Sequence, residues 1–326
     1  MKHSNISIFI PHLGCPFNCI FCDQYKITGS DSAVTPSDIY NILLNAKNNP
    51  NIQKSNTQIA FFGGSFTAID KNLMIEYLEI ANEFIGENLF DSIRISTRPD
   101  CIDVDILQIL KKYNVKTIEL GIQSLDDDVL RASKRGHLSQ KALESCHLIQ
   151  DQGFELGMQM MCGLPEDTFE KDIDTAKKII ELGCKQVRIY PVVVIEGTTL
   201  ANMYKKGLYT PLTVDQAIKI CAKLYEMFID NDVTILKVGL HSSSNSIAGP
   251  FHPAFGELVR SEVFYNQITS QISTQTPVCI EVSPNFISIA KGNCMRNLKR
   301  FEDEGYNITF EQNNLLNKDE YIIKNR

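Results

Sequence analysis

The sequence predicts an α/β fold, a partial (β/α)6 barrel of the TIM type followed by a small C-terminal α/β extension. Three observations carry this. Short apolar segments alternate with helix-like ones over the first two thirds of the chain, one pair every 30 to 40 residues or so, the rhythm of parallel βαβ units. The strand-like segments are rich in Ile, Val and Phe, as fits strands buried in a parallel sheet. A chain of 326 residues is large for one simple domain and natural for an α/β barrel with an appendage. Right-handed crossovers curl such consecutive units into a barrel or part of one.

Strands are expected at residues 7–10, 58–62, 92–97, 116–122, 155–161 and 186–193. Helices fall between them, each with its own start signal. Thr35-Pro36 places an N-cap before a proline at the first helical position. Asp70, Asp103, Ser139 and Thr168 open the next four helices, and Gly153 and Gly183 stop the last two. Residues 195–212 read as a loop with one short helix, and 214–228 as a further helix. Residues 233–240 read as a strand expected to pair with the open edge of the sheet. The Ser-, Gly- and Asn-rich stretch 242–250 is the best linker candidate. The chain is therefore divided into a core, residues 1–241, and an extension, 242–326, proposed as a lid or substrate contact. In the extension a helix is expected near 257–268, a strand near 278–282, a helix near 286–303 and a strand near 306–311.

With 43% hydrophobic and 22% charged residues, the composition excludes disorder, collagen-like repeats and coiled coil. No apolar run approaches the roughly 20 residues of a membrane span. The apolar run at the N-terminus stops at Pro11, so no signal peptide is expected. A net charge of −7 argues against bulk attraction to nucleic acid and leaves room for a local basic patch. Of ten cysteines, three crowd together, Cys15, Cys19 and Cys22, and the rest are scattered. A tight cluster suggests metal; scattered cysteines suggest reduced, buried, small apolar side chains. A reducing cytoplasm is the expected location.

The cluster directly follows the first strand, where a barrel presents its catalytic face. Thiolates favour iron–sulfur clusters or zinc, and three of them leave one corner of a cubane open. The alternatives are a structural zinc site, with His12 as a conceivable fourth ligand, or three buried thiols; no second cysteine pair completes a zinc site. Gly63-Gly64-Ser65 ends the second strand, and paired glycines let backbone come close to a ligand or simply make a tight turn.

The spacing Cys15-x3-Cys19-x2-Cys22, with the aromatic Phe21 before the last cysteine, resembles the signature of the radical S-adenosylmethionine (SAM) superfamily. The resemblance implies a [4Fe–4S] cluster on Cys15, Cys19 and Cys22, with the SAM amino and carboxylate groups on its open iron. It gives Gly63, Gly64 and Ser65 to the SAM amino group. The runs 95–100, 121–126 and 134–137 resemble the radical SAM half of the Elongator catalytic subunit family and, more distantly, oxygen-independent coproporphyrinogen oxidases. Carried over, Gln123 contacts the SAM ribose and Arg135 its carboxylate, roles that suit an amide and a guanidinium; the bland alternative for Arg135 is a solvated surface side chain. Gly163 and Leu164 match a Gly-Leu-Pro whose backbone packs near the adenine. Tyr190-Pro191 and Glu196-Gly197-Thr198 match the Elongator pattern better. These motifs lie in order at successive strand ends over about residues 5–235.

What the resemblance implies is an enzyme that reductively cleaves SAM to a 5′-deoxyadenosyl radical, which abstracts hydrogen from a substrate not identified by sequence. An electron donor such as flavodoxin or ferredoxin is implied, and no membrane. The substrate is either RNA, as in an Elongator-type tRNA modification without the acetyltransferase, or a tetrapyrrole-type small molecule. A non-catalytic iron–sulfur protein is the reading from a different class. The chain beyond residue 235 is expected to be too short for an acetyltransferase domain. His252, within the Pro- and aromatic-rich run 249–257, and His241 are either substrate contacts or structural; no catalytic residue is assigned.

Overall fold

The computed structural model describes residues 4–10, 15–24, 26, 34–240, 245–274 and 276–325. His12 and His241 lie outside them. In chain order the strands are β1 Ser4–Ile10, β2 Thr57–Gly63, β3 Ile93–Thr97, β4 Val115–Gln123, β5 Glu155–Cys162, β6 Gln186–Pro191, β7 Val194–Ile195, β8 Thr234–Val238, β9 Ser246–Ala248, β10 Val278–Val282, β11 Ile308–Gln312 and β12 Tyr321–Asn325. Seven of them form one parallel, curled half-barrel sheet in the order β1-β2-β3-β4-β5-β6-β8. The partial barrel is as expected, and β8 joins its edge as residues 233–240 predict. Among the described residues no helix is long and apolar enough to cross a membrane.

The capping signals work as read. Thr35 and Asp38 form a capping box at helix Pro36–Asn48. Asp70, Asp103 and Thr168 each accept from first-turn amides of their helices. Ser139 is the exception. Helix Ser139–Asp151 has Leu138 at its cap position without a side-chain bond, and the Ser139 amide donates to Asp127 Oδ1 at 2.9 Å. Asp127 opens a short helix, Asp127–Ala132, that sequence periodicity did not reveal.

The strands alternate more than the sequence reading allows. One face buries Ile59, Phe61, Ile93, Ile95, Ile118 and Leu120 under the helices. The other, inner face is polar. Glu119 on β4, 1% exposed, accepts from Arg94 Nη1 at 2.6 Å and from Arg188 Nε at 2.7 Å. Arg94 also donates to Gln58 and Gln186, and Gln159 donates to Ser96 and Glu119. Gly157 makes the room: a Cβ there would stand 3.0 Å from Glu119 Cγ. So complete a set of bonds is what allows charges to sit in a barrel interior.

Beyond β6 the outline needs correction. The strand stops at Pro191, and β7 pairs antiparallel with β9, which lies inside the expected linker. The segment that follows is anchored at the end of the barrel where the cysteines are. A Cβ on Gly249, at φ +98°, would stand 2.9 Å from the Val192 carbonyl oxygen, and Gly239, just past β8, packs on the Phe255 ring. His252 Nδ1 accepts from the Ala254 amide at 3.1 Å, closing the turn into helix Phe255–Gln271. The first half of that helix, with Phe255 and Val259, belongs to the barrel core; the second, with Phe264 and Ile268, belongs to a second core over the sheet β11-β10-β12. β12 is an additional strand. The helix expected at 286–303 is broken into Ile287–Lys291 and Arg296–Asp303, because Gly292, Cys294 and Met295 all take positive φ.

Candidate active site

Loops leaving β1 to β6 meet at one cavity of about 340 Å³. Cys15, Cys19 and Cys22 line it from the β1 side, Gly63, Gly64 and Ser65 from β2, and Gln123 and Arg135 from β4 and the turn after its helix. Eight of the residues singled out from sequence are thus brought together from positions up to 120 apart in the chain.

Local structure explains each placement. Gly63, at φ +104°, lies so close to β1 that a Cβ would stand 3.3 Å from Ile10 N, and the Gly64 amide donates to the Ile10 carbonyl at 2.9 Å. Ser65 Oγ is 3.5 Å from Cys15 Sγ. The β4–β5 register shifts between Gly121 and Gln123, and Gln123 takes φ +66°. A Cβ on Gly121 would stand 2.9 Å from Gln123 Nε2, so this glycine frees the space the amide occupies. Gly136, at φ +77°, lets the Phe17 ring lie over the turn that carries Arg135.

Arg135 is 4% exposed, which removes the surface reading. Its Nη1 donates to Cys19 Sγ at 3.0 Å and its Nη2 to the Gly121 carbonyl. Sequence reasoning gave Arg98 no role, yet its Nη1 reaches Cys19 Sγ at 3.5 Å, its Nε pairs with Asp100 at 2.9 Å, and it donates to the Arg135 carbonyl. Its signal was the run Thr97-Arg98-Pro99-Asp100 at a strand end. The Cys22 thiol is pushed well up, first by burial and then by its Cys19 and Cys15 neighbours. Ligation to a metal would relieve that penalty, because a metal-bound thiolate needs no solvent. His137 is pushed down to about 4, first by burial and then by Arg135, and stays neutral.

The residues present fit the two cofactors. Gln123 Oε1 and Arg135 Nε are buried without a hydrogen-bond partner among the described residues, an acceptor and a donor of the kinds a ribose hydroxyl and a carboxylate take up. Among the described residues no three His, Cys, Asp or Glu side chains converge as for a single metal ion. That is no bar to a cubane, which takes each thiolate on a different iron.

Gly163 and Leu164 do not line the cavity. Gly163 donates to Asp167 Oδ2 at 2.9 Å and accepts from the Tyr209 hydroxyl at 2.6 Å; Leu164 is buried beside Ile20 and Val192. Asp167 in turn faces Asp172, which is pushed up to about 10, first by burial and then by Asp167. A carboxyl whose folded pKa is raised contributes stability fully present below its ordinary value of 3.8 and lost as pH rises toward 10. Asp172→Asn protein is therefore expected to lose less stability between pH 5 and pH 8 than the parent, measured as urea midpoints. A parallel decline in both proteins refutes the protonated Asp172.

The Radical SAM superfamily model matches residues 9–190, more than half of the chain, and the radical SAM C-terminal domain model matches 184–264. A tRNA uridine(34) acetyltransferase of Methanocaldococcus infernus is 35% identical over 130 residues, 39% of this chain and 24% of that protein. Elongator complex protein 3 of Mus musculus is 34% identical over 135 residues, 40% of this chain and 25% of that protein. The chain thus spans about a quarter of the length of these relatives. The solved structure of the archaeal Methanocaldococcus infernus Elp3 superposes with a TM-score of 0.65 at 20% identity, over 82% of this chain and 63% of that one, a likeness of fold.

Proposed function

This chain belongs to the radical SAM superfamily, an enzyme with a [4Fe–4S] cluster and SAM as cofactors, and on that premise we propose that it generates a 5′-deoxyadenosyl radical to take hydrogen from a substrate held in the barrel. The observation that carries this reading is the convergence of three thiols, a glycine turn and the two orphaned polar atoms on one cavity. The chemistry a bound cluster and SAM supply is one-electron cleavage of a carbon–sulfur bond of SAM, followed by hydrogen-atom transfer from the substrate.

The rest falls to the chain's own residues. Cys15, Cys19 and Cys22 hold the cluster. Arg98 and Arg135 bring positive charge to the Cys19 sulfur, which stabilises thiolate ligation. Arg135 grips the SAM carboxylate and Gln123 the ribose, while Gly63 to Ser65 bring backbone close to the amino group. Gly163 and Leu164 support this wall from behind. Phe17 lines the cavity beside the thiols and helps to exclude water. Enzymes of this superfamily need an electron donor, and a flavodoxin or ferredoxin suits this role. The cavity's size favours a small molecule, or one projecting residue of a polymer, over an extended strand. An RNA substrate is supported by the relative named for tRNA uridine(34).

The test is anaerobic. Reduced, reconstituted protein is expected to release methionine and 5′-deoxyadenosine from SAM; a loaded cluster without such release overturns the enzyme reading in favour of a non-catalytic iron–sulfur protein. Arg135→Ala removes a charge-assisted pair of roughly 1.5–3 kcal/mol, so SAM affinity, taken per loaded cluster, is expected to fall about ten- to a hundredfold while the three cysteines still hold a cluster. Equal SAM affinity in titrations of the two proteins means Arg135 has another role.

A further inference from the structure

The cavity is lined by three arginines, Arg98, Arg135 and Arg188, and among the described residues by no Asp or Glu, in a chain whose net charge is −7. Two of these cations have an evident counterpart. Arg98 pairs with Asp100, and both Arg98 and Arg135 face the Cys19 sulfur. Arg188 stands apart on the β6 wall and shares no partner with them. Its Nε and Nη2 donate to Glu119 at 2.7 and 3.1 Å, but Arg94 Nη1 holds the same carboxylate at 2.6 Å. Two guanidinium groups on one carboxylate leave a positive charge over.

Among the described residues no nearby acid removes it. Glu155 lies at the far ends of the strands and faces Lys116 at 3.6 Å. Lys237, the register partner of Arg188 on β8, stands on the same face of the sheet, and no acid pairs with it among the described residues. A guanidinium has five N–H groups. Glu119 takes two of those on Arg188, Phe62 covers one face at 4.9 Å, and neighbouring Tyr190 takes at most one more through its hydroxyl. Donors remain, and Arg188 lines the cavity. Surplus buried charge is costly until a counter-charge arrives.

We infer that the substrate carries a compact oxyanion, a carboxylate or a phosphate monoester, and seats it on Arg188 with Lys237 behind it. The inference rests on the reading of this cavity as the place where substrate reacts. It places the anion on the β6–β8 wall, across from the thiols, so the group that loses hydrogen lies between.

The experiment is a binding titration on the reconstituted protein with SAM present, using two probes at constant ionic strength in chloride. Acetate is followed by saturation transfer to its methyl signal and inorganic phosphate by its 31P line width. At least one probe is expected to bind at one site per chain, and which one binds tells carboxylate from phosphate. Arg188→Met is expected to weaken that binding at least tenfold, and Arg188→Lys to restore part of it. Neither probe binding, or equal binding to parent and Arg188→Met, overturns the inference. So does displacement of the probe by SAM, which would give Arg188 to the cofactor. Should Arg188→Met fail to fold, Lys237→Met, at a half-buried edge position, is expected to weaken binding two- to fivefold, and unchanged binding again overturns it. SAM cleavage is measured separately, so a failed radical reading and a failed anion site are told apart.

Discussion

Cys19→Ala protein, reconstituted anaerobically, is expected to hold no stable cluster, where the parent holds about four iron and four sulfide per chain. Three protein ligands are the minimum this motif supplies, so losing one leaves two iron corners without protein. Cys19 is also the sulfur on which Arg135 and Arg98 converge, at 3.0 and 3.5 Å. Removing it takes a partner from both: Arg98 keeps Asp100, while Arg135 keeps only the Gly121 carbonyl. Cys15→Ala and Cys22→Ala lose the ligand without taking a partner from the arginines. All three should lose SAM cleavage completely, and Cys19→Ala should in addition be the least stable. Cys279→Ala and Cys294→Ala are the controls: one thiol is buried under the second core, the other is exposed on the broken helix, and neither lines the cavity. Iron and sulfide analysis with the visible absorption of the cluster decides the matter. A normal cluster in Cys19→Ala protein overturns the ligand assignment.

How far the chain could be read depended on whether a signal was local. Caps at Thr35, Asp70, Asp103 and Thr168 act within one helical turn, so they were legible and hold. The cysteine motif is local too. β9 was hidden because three residues, Ser246–Ala248, carry no period, and their partner β7 lies some fifty residues upstream. The break near residue 292 had a signal in Gly292, but nothing in the composition of Cys294 and Met295 foretells left-handed backbone. Arg98 and Arg135 show the limit at the site itself. Arg98, at a strand end, carried no assigned role and Arg135 only one implied by resemblance, and neither reading could show that the fold lays Cys19, 79 and 116 positions away, against both.

The polar inner face is the instructive case. Arg94 and Ser96 alternate with Ile93 and Ile95, and Arg188 and Tyr190 with Val187 and Ile189. The period of two is present, but alternation alone commonly marks a half-exposed strand. Here the second face is closed by the curl of the sheet, and its charged side chains find their hydrogen-bond partners on other strands. A barrel that must receive a polar cofactor and substrate has reason to keep such a lining, at a cost in stability that a dry core would not bear.

That cost sets the last expected result. Glu119→Gln is expected to destabilise the protein by about 3–5 kcal/mol, the scale of a buried ion pair broken on one side, against a total of roughly 5–15 kcal/mol for a domain. The amide keeps the shape but puts an NH2 group against donors that one carboxylate oxygen accepted, so charge and hydrogen bonds are lost together, and Arg94, 1% exposed, is left buried without a counter-ion. The pH dependence gives a second signature. Burial pushes the Glu119 carboxyl up, but Arg188 and then Arg94 outweigh it and hold the group below its ordinary 4.5. A folded pKa below the unfolded one contributes stability that is present above pH 4.5 and lost as pH falls through the folded value. The parent should therefore lose this part of its stability in the acid range, and Glu119→Gln, which has already lost it, should not. Urea unfolding of both proteins at pH 7 and pH 4 measures the two effects together. Equal stability of Glu119→Gln and the parent at pH 7 contradicts the argument, since it requires that one neutral amide serve two buried guanidinium groups as well as a carboxylate does.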